Sequence, residues 1–281
     1  MIISVASGKG GTGKTTVAVG LALSLSEENL VQFLDCDVEE PDAHIFLKPE
    51  INQGLTVEVP IPEISEDRCT HCGLCAQFCV YKALAVLKDT VLVFPELCHS
   101  CGGCKLICPE QAIHEVGQRV GVAEYGSAGR INFIQGKLDI GQARATPLIR
   151  KIKKQINTTN LVVIDSPPGT SCPVVEAVRD SNFTLLVTEP TPFGLNDLKL
   201  SVEVLRQLEI PMGVIINRAG LGADSLIEDY CRQEKIPVLM SIPFDREIAR
   251  AYSQGVALTA VLPTYRAKFK ELLWTIKELT R

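Results

Sequence analysis

One short segment near the beginning of the chain, residues 8–15, limits the possible folds more than any other feature of the sequence. The segment reads GKGGTGKT and matches the pattern G-x-x-x-x-G-K-[ST]. The apolar residues 2–6 before it predict a short buried strand, and the apolar residues 17–25 after it predict a buried helix. A strand, a glycine loop and a helix in this order bring backbone N–H groups and a helix N-terminus together around a phosphate. The segment therefore predicts a loop that binds the phosphates of a nucleoside triphosphate.

The residues of this loop have distinct predicted roles. Lys14 is expected to reach the β- and γ-phosphates, and the hydroxyl group of Thr15 is expected to ligate Mg²⁺. The other residues predicted to surround the phosphates are Gly8, Lys9, Gly10, Gly11, Thr12, Gly13 and Thr16. An ordinary glycine-rich turn is the alternative, but the agreement of both pattern and context favours the phosphate loop.

Strand and helix patterns alternate along much of the remaining chain. Further apolar strands are predicted at residues 30–34, 161–164, 184–187, 213–216 and 238–242, and helices at 146–156, 195–208, 225–233 and 265–279. This alternation favours right-handed crossovers between parallel strands. We therefore predict an α/β fold in which a parallel P-loop NTPase sheet carries helices on both faces.

Eight of the eleven cysteines form two copies of one pattern, C-x₂-C-x₂-C-x₃-C, beginning at residues 69 and 98. The pattern is typical of bacterial proteins with two [4Fe–4S] clusters, in which the fourth cysteine of each copy ligates the other cluster. The predicted ligand sets are Cys69, Cys72, Cys75 and Cys108 for the first cluster, and Cys98, Cys101, Cys104 and Cys79 for the second. Zinc is the alternative, although zinc sites prefer C-x₂-C pairs separated by a longer gap.

Charge and hydropathy exclude several classes of protein. A formal net charge of −5 without any basic run argues against a nucleic-acid partner. The first residues lack the features of a secretory signal, and no apolar run approaches the roughly 20 residues that span a bilayer. We therefore expect a cytoplasmic protein without membrane contact. In that reducing compartment, the cysteines favour metal binding over disulfide bonds.

Lys9 gives the loop the form K-G-G-T-G-K-T, which resembles the deviant Walker A motif of the MinD/ParA family of ATPases. The resemblance implies that ATP and Mg²⁺ are bound and that Lys9 and Lys14 take part in catalysis. It also implies that Lys9 reaches the partner subunit's nucleotide in an ATP-dependent dimer. That dimer would be a homodimer or a heterodimer with a paralogue.

The same resemblance assigns roles to residues that follow other predicted strands. Asp37 would orient the attacking water in switch I, and Asp35 would support the Mg²⁺ shell. Asp165, in LVVIDSPPG, would be the Walker B carboxylate that reaches Mg²⁺ through water, and Gly169 would donate a switch II N–H to the γ-phosphate. The positions that match the family's adenine contacts are Asn217, Arg218 and Pro243.

As a whole, the chain resembles MinD/ParA-type ATPases that carry an inserted two-cluster ferredoxin domain, relatives of the Mrp ATPases and the nitrogenase iron protein. The predicted domains are residues 1–60, the first part of the ATPase; 61–115, a small α+β insert similar to bacterial ferredoxins; and 116–281, the rest of the ATPase. Because the insert follows predicted switch I, movement there is expected to reach the clusters through a short length of chain.

The leading functional hypothesis is a dimeric ATPase, slow without a partner, that couples nucleotide state to iron–sulfur electron transfer or metallocluster handling. It would act with a redox or metallocluster partner protein whose identity the sequence does not give. One alternative is a spatial organiser in which the insert is a redox sensor or docking module. Another is an iron–sulfur scaffold or carrier, although ligation by all eight cysteines argues against labile clusters. Cys172, just past switch II, is the candidate labile ligand.

Overall fold

The computed structural model describes all residues from Met1 to Arg281. The strands are β1 (Ile2–Ala6), β2 (Val31–Asp35), β3 (Glu50–Ile64), β4 (Leu84–Val86), β5 (Val91–Val93), β6 (Ile113–Ala128), β7 (Ile131–Leu138), β8 (Leu161–Asp165), β9 (Phe183–Thr188), β10 (Met212–Ala219) and β11 (Val238–Pro243). The helices are α1 (Lys14–Leu25), α2 (Ala43–Leu47), α3 (Leu74–Phe78), α4 (Gly103–Ile107), α5 (Ala145–Lys153), α6 (Cys172–Val178), α7 (Pro192–Gln207), α8 (Asp224–Gln233), α9 (Arg246–Ser253), α10 (Leu258–Val261) and α11 (Thr264–Leu279).

A nine-stranded sheet with the order β11-β10-β9-β1-β8-β2-β7-β6-β3 forms the centre of the protein. Every neighbouring pair is parallel except the two pairs that include β6, which runs antiparallel to both β7 and β3. Eight strands therefore point the same way, as the alternating pattern predicts. The departure from a purely parallel sheet arises because β6 and β7 are joined by a tight hairpin at Gly129, whose φ of 57° suits glycine.

Helices cover both faces of this sheet. One face packs against α1, α10 and α11, and the other packs against α5, α6, α7 and α8. The last helix is part of this core, because Phe269 and Ile276 are completely buried. A side chain at Gly20 would meet the Phe269 ring, so α1 and α11 approach closely. No helix in the structure combines the length and the apolar character needed to cross a membrane.

The cysteine-rich segment lies at the end of a long hairpin made by β3 and β6. Strand β7 ends at Leu138, opposite Gly121 of β6, which in turn pairs with Val57 of β3. From there β3 continues to Ile64, seven residues further, or about 23 Å at a strand rise of about 3.3 Å per residue. The hairpin therefore projects beyond the sheet edge at which the parallel strands end.

Residues 65–112 form the tip of this hairpin and contain α3, α4 and the separate two-stranded sheet of β4 and β5. The predicted domain boundaries, 60/61 and 115/116, fall inside β3 and β6, so both strands continue from the main sheet into the segment. The predicted short connection from switch I is different in the structure. It consists of α2 and the full length of β3, because β3 begins at the opposite edge of the sheet.

Candidate nucleotide-binding cleft and cysteine pockets

The predicted phosphate loop joins β1 to α1 at the carboxyl edge of the sheet. Gly11 and Gly13 have φ angles of 74° and 92°, in the left-handed region that favours glycine. A Cβ atom on Gly13 would collide with Nδ2 of Asn217, and this amide nitrogen donates to the Thr12 carbonyl oxygen at 2.7 Å. Position 13 therefore requires glycine both for the turn and for the close approach of β10.

A cleft of about 530 Å³ opens beside this loop, a size typical of small-molecule sites. The phosphate loop, the acidic loop after β2, the loop after β8 and helix α9 all contribute to it. Residues that line the cleft include Gly13, Lys14, Thr15, Asp37, Pro168 and Tyr252. The predicted phosphate, switch I and switch II segments thus surround one space.

Lys14 and Asp37 face each other in this cleft. Lys14 is only 6% exposed, and its Nζ lies 3.5 Å from Oδ2 of Asp37. Burial raises the pKa of Asp37 to about 6, although the neighbouring Lys14 ammonium opposes the increase. Asp37 is therefore predominantly ionised at neutral pH and can accept a hydrogen bond from water.

Asp35, which is predicted to support the Mg²⁺ shell, contacts the backbone of the loop after β2. One carboxylate oxygen accepts the backbone N–H of Asp37, and the other accepts that of Ala43, each at 3.2 Å. Asp35 is completely buried, and burial together with nearby Asp165 raises its pKa. These two bonds stabilise the turn of predicted switch I, and the support of the Mg²⁺ shell by Asp35 stays a prediction.

Asp165 ends β8 beside the phosphate loop and is completely buried. Neither carboxylate oxygen has a hydrogen-bond partner of ordinary geometry. Burial raises its pKa to about 7, and Lys14 and Thr15 oppose the increase. Such orphaned oxygens are costly in the absence of a partner, and carboxylate oxygen is a ligand that Mg²⁺ prefers. The arrangement therefore fits a Mg²⁺ ion held through the Thr15 hydroxyl and the Asp165 carboxylate.

Replacing Asp165 with Asn is expected to stabilise the nucleotide-free protein. Because the folded-state pKa is about 7 and the reference value is 3.8, ionisation of Asp165 opposes folding increasingly as pH rises between these values. At pH 8 we expect Asp165→Asn to raise the thermal midpoint by roughly 3–6 °C, with little difference near pH 4. Thermal unfolding at both pH values, with Glu39→Gln as an exposed control, measures the effect. A lower midpoint at pH 8 would contradict this account.

Lys9 is held within its own chain. Its Nζ forms an ion pair with Oε1 of Glu189, while Nη1 of Arg218 contacts Oε2 of the same carboxylate at 2.9 Å. Nη2 of Arg218 also donates to the Gly11 carbonyl oxygen at 2.9 Å. A lysine that reaches across to a partner subunit would have to leave Glu189, so the position of Lys9 distinguishes two arrangements of this loop.

The remaining predicted nucleotide contacts fall into two groups. Asn217 and Arg218 lie near the end of β10, and Pro243 ends the neighbouring β11, where Ala219 pairs with it. The backbone N–H of Gly169 donates to the Ser7 carbonyl oxygen at 2.9 Å. A γ-phosphate would have to displace that bond before it could accept this N–H.

Sequence reasoning missed two residues of this region, Glu189 and Tyr252. Glu189 directly follows the buried strand β9 at the carboxyl edge of the sheet. A carboxylate at the end of a predicted strand could have indicated a residue near the phosphate loop. Tyr252 comes from α9, far along the chain, and its hydroxyl group donates to Oδ2 of Asp42 at 2.8 Å. No local pattern marks Tyr252 as a residue of the cleft.

The eight patterned cysteines line two separate pockets at the hairpin tip. Four of them surround the first pocket: Cys69, Cys72, Cys75 and Cys108. The other four surround the second pocket: Cys79, Cys98, Cys101 and Cys104. The fourth cysteine of each copy thus lies with the first three of the other copy.

The backbone repeats together with the cysteines. Positive φ angles recur at positions 29 residues apart, which pair His71 with Ser100, Gly73 with Gly102, and Lys82 with Gln111. Backbone N–H groups also donate to sulfur at equivalent places: Ala83 to Cys79 Sγ and Ala112 to Cys108 Sγ, each at 3.3 Å. The tip is therefore two copies of one turn and short helix, with sulfur atoms placed as hydrogen-bond acceptors.

The thiols surround their pockets and do not converge on one point. No group of three or more His, Cys, Asp or Glu side chains is positioned to hold a single metal ion. A [4Fe–4S] cluster, unlike one zinc ion, occupies the space between four thiolates. Four cysteines around each pocket are the donor set that such a cluster takes.

Sequence comparison identifies both named relatives and a family. An uncharacterized protein of Methanocaldococcus jannaschii, MJ0578, is 30% identical and matches 99% of this chain and 97% of its own length. An iron-sulfur cluster carrier protein of Pyrococcus horikoshii is 24% identical, with 96% of this chain and 83% of that protein covered. A Rickettsia typhi protein of the same name is 25% identical over 93% of this chain and 67% of its own length.

Among solved structures, the fold is similar to the septum site-determining protein MinD from Pyrococcus horikoshii, solved with Mg-ADP. The TM-score is 0.63 at 19% identity, and the match covers 100% of this chain and 98% of that one. The sequence profile of the CobQ/CobB/MinD/ParA nucleotide binding domain matches residues 3–258. The phosphate loop, the parallel sheet and this match together establish that the chain belongs to the CobQ/CobB/MinD/ParA family and is a MinD/ParA-type P-loop ATPase.

Proposed function

We propose that this protein is a Mg²⁺-dependent, dimeric ATPase that couples its nucleotide state to electron transfer through two [4Fe–4S] clusters. One observation carries the proposal: the eight patterned cysteines surround two pockets at the tip of a hairpin that projects from the same sheet edge as the nucleotide cleft. A domain of residues 61–115 would hold the clusters, and residues 1–60 and 116–281 would form the ATPase.

On the nucleotide side, the chain supplies groups suited to phosphoryl transfer to water. Lys14 would bind the β- and γ-phosphates together with the backbone of residues 8–16, and Asp37 would orient the attacking water. Mg²⁺, held by Thr15 and through water by Asp165, would neutralise phosphate charge. Asn217, Arg218 and Pro243 would contact adenine.

At the tip of the hairpin, the cysteine thiolates would hold the clusters. Cys69, Cys72, Cys75 and Cys108 would ligate cluster 1, and Cys98, Cys101, Cys104 and Cys79 would ligate cluster 2. Each cluster would supply a centre that accepts and releases one electron. Ile64 and Ile113 line the first pocket, whereas Pro60 and Pro62 line the second. Cluster 2 would therefore lie nearer the ATPase and cluster 1 nearer the hairpin end.

The dimer follows from the phosphate loop. In the proposed ATP-bound dimer, Lys9 leaves Glu189 and reaches the partner subunit's nucleotide, and Gly169 exchanges the Ser7 carbonyl for the γ-phosphate. Both changes would alter loops at the sheet edge from which the hairpin projects. Hydrolysis would return Lys9 to Glu189 and loosen the dimer.

The proposal is tested by a redox titration of anaerobically purified protein, followed by electron paramagnetic resonance. We expect two one-electron centres, and we expect a non-hydrolysable ATP analogue with Mg²⁺ to shift at least one potential by about 60 mV, a tenfold change in equilibrium. Reduction would then alter the affinity for the analogue by the same factor. Two centres with unchanged potentials and line shapes would exclude this coupling.

A second candidate function is delivery of iron–sulfur clusters, which the names of the Pyrococcus and Rickettsia relatives favour. Cys72, Cys101 and Cys172 are exposed, so thiols accessible to an acceptor exist. Transfer of a cluster to an acceptor apoprotein, timed by circular dichroism, distinguishes the two functions. Carrier function predicts ATP-dependent loss of iron from this chain, whereas electron transfer predicts that the iron content remains constant over many turnovers.

A further inference from the structure

One side chain of the ATPase body contacts the backbone of a predicted cluster ligand. Arg144 lies between β7 and α5, and its Nη1 donates to the Cys98 carbonyl oxygen at 3.1 Å. Its Nη2 donates to Oε1 of Gln118, on β6, at 2.9 Å. The guanidinium group thus joins the turn that carries Cys98 to the base of the hairpin.

The charge on Arg144 has no carboxylate partner. Both acceptors, the Cys98 carbonyl group and the Gln118 amide, are neutral, and Nε is buried without a hydrogen-bond partner. Removal from water weakens the screening of this charge. By contrast, the carboxylate of Glu115, which lines the second pocket, is paired: it lies 3.3 Å from the Lys105 ammonium group. An uncompensated positive charge therefore lies beside the second pocket.

No cation makes the equivalent contact, a hydrogen bond to the carbonyl oxygen of Cys69, at the first pocket. Its only charged lining residue is Glu110, apart from His71, which contacts Glu66 at 3.3 Å. Adding an electron to a cluster increases its negative charge, so a nearby cation favours the reduced form and a nearby carboxylate opposes it. The two pockets are chemically alike in ligands and differ in the charge beside them.

Arg144 is also connected to the nucleotide cleft. It precedes α5, and two hydrogen bonds at 3.2 and 2.9 Å join Arg150 of α5 to Glu176 of α6. Nζ of Lys153 donates to the carbonyl oxygens of Glu176 and Arg179 at 2.6 Å each. Helix α6 begins directly after the switch II loop that lines the cleft. Switch II and Cys98 are therefore linked through two bonded helices and one side chain.

We propose that Arg144 is a positioning residue that holds the Cys98 turn against the ATPase body and raises the reduction potential of cluster 2 above that of cluster 1. Electrons would accordingly move from the distal cluster to the one nearer the ATPase, one at a time. The inference rests on the proposed function, because it requires both clusters. It adds a direction of electron flow, and it identifies Arg144 as the residue that connects the nucleotide cleft to cluster 2.

The test compares midpoint potentials of both clusters in the full-length, cluster-loaded protein, followed by electron paramagnetic resonance. Arg144→Gln is expected to lower the cluster 2 potential by at least 59 mV, a tenfold change in the one-electron equilibrium, and to leave cluster 1 unchanged. Arg144→Lys keeps the charge, so its one-electron equilibrium constant for cluster 2 should remain within threefold of the wild-type value. The matched control is Arg119→Gln, which removes an exposed cation that pairs with Asp139 and should change neither potential.

A second readout does not require clusters. In the cluster-free protein, Arg144→Gln should accelerate backbone hydrogen exchange in residues 98–104, because the anchor on the Cys98 carbonyl is lost, and Arg119→Gln should not. The role of Arg144 is refuted if Arg144→Gln changes neither the two potentials of the cluster-loaded protein nor the hydrogen exchange of the cluster-free protein. The proposed function stands in that case, provided that the protein holds two clusters. A wild-type protein that binds no clusters overturns both.

Discussion

Replacing Asp37 with Asn is expected to reduce ATP hydrolysis by at least about 100-fold while ATP binding persists. A positioned carboxylate that orients and polarises water contributes about 10²–10⁴ to rate, and Asn retains the shape without the charge. Binding should persist because Lys14, which now pairs with Asp37 at 3.5 Å, loses a competing anion. Single-turnover hydrolysis and the affinity for a fluorescent ATP analogue measure the two effects separately.

The wild-type pH profile provides a further check on this role. Because burial raises the Asp37 pKa to about 6, kcat/KM should decline as pH falls through 6, when the carboxylate becomes protonated. Glu40→Gln is the matched control, since it removes an exposed carboxylate from the same cleft. Its kcat/KM should stay within threefold of the wild-type value. Hydrolysis by Asp37→Asn at a rate comparable to that of the control would remove Asp37 from the catalytic role.

The second large effect concerns which cysteines share a cluster. Cys79→Ala should reduce bound iron by about half, because one of the two clusters is lost. The structure places Cys79 in the pocket of the second copy, with Cys98, Cys101 and Cys104. Adding Cys101→Ala to Cys79→Ala should therefore cause little further loss, since both substitutions affect the same cluster.

A different double variant gives the opposite result. Cys79→Ala combined with Cys72→Ala should remove nearly all iron, because Cys72 lies in the other pocket. The two double variants are compared by measuring iron and acid-labile sulfide per chain after anaerobic reconstitution. If each copy held its own cluster, the two double variants would exchange their results, and the crossed ligand sets would be wrong.

Local sequence pattern was sufficient for much of the fold. Strands predicted at residues 161–164, 184–187 and 238–242 lie within β8, β9 and β11, because continuous apolar runs bounded by turn residues are typical of strands buried on both faces. The last helix was predicted at residues 265–279 and is found at Thr264–Leu279. Local pattern also placed the phosphate loop, since its glycines and its flanking strand and helix are contiguous in the chain.

Local pattern was insufficient wherever a contact joins distant residues. The continuation of β3 and β6 across the predicted domain boundaries depends on cross-strand pairing between residues more than 40 positions apart. The ion pair between Lys9 and Glu189 depends on strand order, because β1 and β9 are neighbours in the sheet. Neither strand order nor pairing register is encoded in any single segment.

The chemical groups of this protein can be read from its amino-acid sequence: a phosphate loop, carboxylates at strand ends and two cysteine sets whose spacing fits iron–sulfur ligands. Those groups follow from residue type and short spacing, which the chain carries locally. Their arrangement in space is visible in the folded protein alone: both cysteine pockets lie on a hairpin at the nucleotide edge, and Arg144 contacts the backbone of Cys98. That arrangement depends on long-range packing of the sheet and its helices, because the free energy of burying their apolar faces selects one strand order.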